Sequence, residues 1–119
     1  MKTFLAIYLG SPTSGAKADW DRLDPQEREK RQAAGMKAWK DWGAAHRADI
    51  VDGGGPLGKT KRTDARGVTD VRNTMVGYVI LNAESHEAAA KLFEKHPHFT
   101  LFPGEAVEIM ECLPIPGQR

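Results

Sequence analysis

Apolar residues fill both alternating positions of the opening run, residues 3–9, "TFLAIYL". Phe4, Ala6 and Tyr8 form one set and Leu5, Ile7 and Leu9 the other, and Gly10-Ser11-Pro12 stops the run. Such a segment predicts a strand covered on both faces. Residues 11–19 read as loop. A helical period follows. Asp24 is a capping residue, Pro25 suits the first helical position, Glu27 completes a capping box, and the helix runs to about Arg47. Met36, Trp39, Gly43 and His46 share its stripe, with Ala38, Trp42 and Ala45 beside them. Gly35 and Gly43 each cost that helix about 1 kcal/mol relative to Ala; Gly43 suits close packing on a sheet, whereas the pattern offers no account of Gly35. Residues 48–52, "ADIVD", form a short strand leading into glycines, and "KTKRTDARG" reads as a loop or hairpin arm. Residues 70–82 give the longest strand, again apolar on both sets at "MVGYVIL". Ser85 caps a second helix, "HEAAAKLFEKH", with Ala89, Leu92, Phe93 and His96 on one face and Pro97 as its stop. Residues 106–113 supply the last strand.

The order β-α-β-β-α-β predicts an α+β, ferredoxin-like antiparallel sheet with both helices on one face, in a single domain over residues 1–119. Helices cover one face only, so the second apolar face needs another cover. A second copy of the sheet is the economical one, which predicts a homodimer joined through its sheet faces.

Composition narrows the partners. The net charge of +1 provides no field to recruit nucleic acid or anionic lipid. The basic loop Lys59, Lys61, Arg62 and Arg66 lacks interleaved aromatics, and reads as a solvated arm. No apolar run approaches a membrane span. The apolar start is better as a strand than as a signal peptide, which points to the cytoplasm. The single cysteine, Cys112, cannot pair within the chain, and is expected to pack as a small hydrophobe in the last strand.

"GGGPLGKT", residues 53–60, matches the phosphate-loop spacing G-x-x-x-x-G-K-[ST]. That loop works only where the glycine turn opens a helix, and "KRTDARGVTD" has no helical period. Pro56 also removes an amide from the nest. Nucleotide hydrolysis is therefore rejected. "DGGGPLG" reads either as a bulge at a sheet edge or as bare backbone beside a pocket with Asp52 at its mouth.

Taken in order, "FLAIYLGSP", "DIVDGGGPLG", "GYVILNAESHEAAAKLFEKHPHF" and "VEIMECLPI" resemble the YCII-related (DGPF-domain) family over roughly residues 2–115. The resemblance implies a ferredoxin-like fold pairing into a dimeric α+β barrel. Its implications for activity are sparse: a suggested His/Asp pair in some short members, and a relative that eliminates chloride from a chlorinated hydroxyquinone. The first helix carries no histidine before His46, and the DGPF element corresponds only loosely to "DGGGPL".

"EKHPHF" is the stretch with most chemistry. His96 and His98 can converge on one cleft, and neutral imidazole exchanges protons near neutral pH. Asp52 is the candidate carboxylate to orient them. The alternative is that His96 caps the end of the second helix, with its ring bonded to a carbonyl. Tyr8, Gly53 and Gly54 are candidate ligand-binding positions, and Trp20, read as a loop residue, could lid the pocket. Glu108 reads either as an edge-strand glutamate at solvent or as facing the dimer interior with Met110 and Cys112. The histidines do not make a convincing metal set, and no cofactor is implied. Three functions stay open: an unidentified small molecule bound for lyase- or isomerase-like acid-base chemistry, a non-catalytic ligand-sensing or partner-binding module linked to regulation, or a purely structural interaction domain.

Overall fold

The structure is a computed structural model describing residues 1–10 and 15–117. Its elements are β1 (Lys2–Gly10), α1 (Gly15–Arg22), α2 (Pro25–Ala45), β2 (Ile50–Pro56), β3 (Thr60–Asp64), β4 (Gly67–Val71), β5 (Met75–Ala83), α3 (His86–Lys91), α4 (Pro97–Thr100) and β6 (Gly104–Glu111). The main sheet has strand order β2-β5-β1-β6, every pair antiparallel, and β3-β4 form a separate ribbon. Once the ribbon is set aside as an insertion, this is the ferredoxin-like α+β arrangement the hydrophobic pattern predicts.

Strand alternation sets the two faces. Phe4, Ala6 and Tyr8 of β1, with Val79 and Leu81 of β5, are buried beneath the helices. The other set, Leu5, Ile7 and Leu9, is only half-buried. In β6, Val107 and Ile109 pack against the core, while Glu108 and Met110 lie opposite Ile7 and Leu5 on the helix-free face. Cys112 differs from expectation. It is exposed just beyond β6, where the strand has ended and its N–H donates to the Thr3 carbonyl.

The start of α2 follows its cap: Asp24 Oδ1 accepts from the Glu27 N–H at 2.8 Å, with Pro25 in the first turn. Gly35 is its one buried residue because the Phe102 ring lies against it, and an added Cβ would meet Phe102 Cε2 at 2.6 Å. Gly43 has no atom within 4 Å of such a Cβ, so it is not a close-packing site.

Other boundaries move for identifiable reasons. Of the expected loop 11–19, residues 15–19 belong to α1, and residues 11–14 lie outside the described residues. The expected strand 70–82 is broken because Asn73 Oδ1 accepts from the Met75 N–H at 2.9 Å, turning the chain between β4 and β5. The second helix stops at Lys91 rather than His96. Beyond it Phe93, Glu94 and His96 donate to carbonyls three residues back, and Lys95 takes a positive φ of 60° before Pro97. "GGGPLGKT" runs from β2 through a short turn into β3, with no helix to receive a phosphate. Among the described residues no helix is long and apolar enough to cross a membrane.

Candidate active-site cleft

Four elements bring the aromatic residues together. Tyr8 projects from β1 toward the helices, Trp39 and Trp42 descend from α2, and His96 and His98 come from the α3–α4 turn and α4. The Tyr8 ring centroid lies 4.8 Å from Trp39, 5.2 Å from His96 and 5.2 Å from His98. His96 is also packed edge-on against Trp39 and Trp42, at 4.6 and 4.7 Å.

His96 is fully buried and does cap a helix, but at the start of α4 rather than the end of α3. Its Nδ1 accepts from the His98 N–H at 2.9 Å, with Pro97 in the first helical turn. That contact assigns the tautomer. Nδ1 carries the lone pair, so Nε2 carries the proton and donates toward the Tyr8 hydroxyl, 3.4 Å away. Since the Tyr8 oxygen accepts, its own proton is available to donate elsewhere.

His98 has the complementary arrangement. A carbonyl can only accept, so its Nε2–H donates to Leu9 O at 2.6 Å, leaving Nδ1 an acceptor with no protein partner among the described residues. Leu9 sits where the β1 register shifts against both neighbouring strands. The ring is seated on Gly104, where an added Cβ would collide with His98 Cε1, Nε2 and its carbonyl oxygen.

Burial pushes His96 down to about 4, with the neighbouring His98 and His46 adding to the effect. His98 is also lowered by burial, partly opposed by its bond to Leu9. Burial raises the Tyr8 phenol above its ordinary value. At neutral pH both rings are therefore uncharged and Tyr8 keeps its proton.

Tyr8 and His98 border a cleft of about 370 Å³ lined also by Trp39, Phe102, Gly53 and Pro56, among others. Gly77 faces Tyr8 across the β1–β5 register, and its missing side chain leaves room there, since a Cβ would lie 3.3 Å from the Tyr8 ring. The lining is mostly apolar and aromatic, and His98, Tyr8, Tyr78 and Trp39 are its residues with polar side-chain atoms.

Among the expected site residues, Tyr8, His98 and Gly53 border the cleft, and His96 stands behind Tyr8. Asp52 does not join them. It is paired with Ile80, and its carboxylate accepts from the Gly54 N–H at 2.8 Å. Gly54 has a φ of +63° and lies against the Tyr78 carbonyl, at a backbone bulge outside the cleft lining. Trp20 belongs to α1, and its ring packs against Phe102 at 5.8 Å, one layer behind the cleft. Sequence reasoning missed Phe102, Met36 and Gly104. The unexplained Gly35 was the signal for Phe102, because a glycine inside a helix commonly marks the seat of a ring.

No protein-family model matches the chain, and comparison with curated protein sequences finds no match. Its fold is similar to that of a solved 5-chloro-2-hydroxyhydroquinone dehydrochlorinase from Burkholderia phenoliruptrix, determined in complex with 2,5-dihydroxybenzoquinone. The TM-score is 0.50 at 21% identity, covering 91% of this chain and 90% of that one; the likeness is one of fold.

Proposed function

We infer that this protein binds a small, flat, polar-substituted aromatic compound in the Tyr8–Trp39–His98 cleft and performs lyase- or isomerase-like proton transfer on it. The observation carrying this reading is the pairing of a neutral His98, its Nδ1 unpartnered, with a Tyr8 O–H whose oxygen is already engaged by His96. One group can take a proton while the other donates a hydrogen bond to developing negative charge. His96 is a positioning residue, acting through Tyr8 and the α4 cap. The His98–Tyr8 pair replaces the His/Asp pairing, since Asp52 is bonded to Gly54.

The reading includes a homodimer through the helix-free face, where Leu5, Ile7 and Ile80 are half-buried and Met110 is exposed. It also includes a reducing cytoplasmic setting, which suits the unpaired, exposed Cys112.

The dehydrochlorinase supplies the first probes: 2,5-dihydroxybenzoquinone and chlorinated hydroxyhydroquinones, the latter followed by chloride release. We expect thermal stabilisation of the wild type, with His98→Gln and Tyr8→Phe each weakening binding about tenfold or more while remaining folded. If no member of a hydroxyquinone and hydroxybenzoate panel stabilises the protein, the reading fails. Binding that both variants retain, without turnover, would instead favour a non-catalytic sensor.

A further inference from the structure

Between β2 and β5 the chain leaves the main sheet. Leu57 N–H donates to Val76 O at 2.9 Å at the root, and beyond it Thr60↔Val71 through Asp64↔Gly67 pair only with each other. Apart from Thr60 and Val71, every residue of β3 and β4 is exposed, Val68 at 63%. Five-residue strands extend about 17 Å. The molecule measures 55 × 43 × 19 Å with a radius of gyration of 16.5 Å, against about 13.5 Å for a compact chain of this length. A lone two-stranded ribbon is marginal in water. This one, rich in Thr and Val, has the composition of a strand pair that rests on something.

Charge identifies what it rests on. Lys61 and Arg62 are matched within the ribbon by Asp70 and Asp64. Lys59, Arg66 and Arg72 have no ion pair among the described residues, and neither have Glu105 and Glu108 of β6. Glu108 is exposed on the helix-free face opposite Ile7, among apolar neighbours. Covering that face would strand its carboxylate unless the cover carries a cation. The chain's own ribbon is rooted at the β2/β5 side, whereas β6 is the opposite edge of the sheet. A two-fold axis running along the strands between facing sheets exchanges those edges. It carries one copy's ribbon over the other's β6, at the end where Glu105 lies.

We propose that the β3–β4 ribbon is an arm that clasps a second copy of this chain, its unmatched Lys59, Arg66 and Arg72 meeting the partner's Glu105 and Glu108. This rests on the sheet-to-sheet dimer, and the test separates the two. Sedimentation equilibrium of the full chain is measured for wild type, for Glu108→Lys, and for Arg66→Glu combined with Arg72→Glu, with circular dichroism confirming the fold. Each charge reversal is expected to weaken the dimer roughly 30-fold or more. Mixing the two variants, one bearing a tag for native mass spectrometry, is expected to recover a heterodimer. A monomeric wild type overturns both the dimer and the arm. A wild-type dimer that neither variant weakens overturns the arm alone, as does weakening without recovery on mixing. Should a reversal unfold the chain, Glu108→Gln and Arg72→Gln read the same contact, and an unchanged dimer constant in both overturns it.

Discussion

Gly104→Ala and Gly43→Ala are the same chemical change with opposite expected signs. In a strand, an added methyl group ordinarily stabilises by restricting the unfolded chain, by about 0.4–1 kcal/mol. At Gly104 that methyl collides with the His98 ring and with its carbonyl oxygen. The ring cannot simply rotate away, because the main chain is tied to the His96 cap and Nε2 to Leu9 O. Accommodation costs about 1–3 kcal/mol in overpacking and about 1 kcal/mol more for the displaced hydrogen bond; less the unfolded-chain gain, the net loss is about 1–3.5 kcal/mol. For 119 residues the unfolding entropy is about 0.25 kcal/mol/K, so Tm falls by about 4–14 °C. Gly43 has open space around it, and the helix gains about 1 kcal/mol, raising Tm by about 4 °C. Scanning calorimetry of the two variants reads both signs. A Gly104→Ala protein within 2 °C of wild type would refute the tight seating of His98, and with it the assignment of that ring's free nitrogen.

Acid should destabilise the protein through its buried imidazoles. Unfolded histidine titrates near 6.5, and folded His96 near 4. The unfolded chain thus takes up a proton the folded one refuses, so this stability is present above about pH 6.5 and is lost as pH falls toward 4. The limiting slope is about 1.4 kcal/mol per pH unit. Urea titrations between pH 7 and 4.5 should show a shallower loss for His96→Gln than for wild type; parallel curves would contradict the neutral, buried ring. Gly54→Ala meets both a positive φ and the Tyr78 carbonyl, and should cost about 3 kcal/mol or more. Gly53→Ala has open space and should stay within about 0.5 kcal/mol in the same unfolding assay.

The legible parts of the chain were those whose signal is local and periodic. The two-sided apolar runs of β1 and β5 and the caps at Asp24 and Ser85 depend on near neighbours, and both caps accept the expected N–H. The ribbon was harder to read because residues 60–64, "TKRTD", carry no apolar side chain to mark the first strand of the pair. His96 and His98 were found from their spacing around Pro97, but their roles were not. Which nitrogen of His98 holds the proton depends on Leu9, and what the His96 Nε2–H faces depends on Tyr8, both nearly ninety positions away. Asp52 shows the opposite error. Its side chain takes the nearest donor, the amide two residues on, and an Asp followed by glycines was itself a sign of that local turn.

The crowding of Trp39 and Trp42 around one imidazole also gives the protein a built-in optical gauge. Indole emission responds to a charge at ring-contact distance, so protonation of His96 in the native state should be visible in the intrinsic fluorescence. Trp39 additionally forms part of the cleft wall. A quinone seated there would quench it directly, allowing occupancy to be followed without a label.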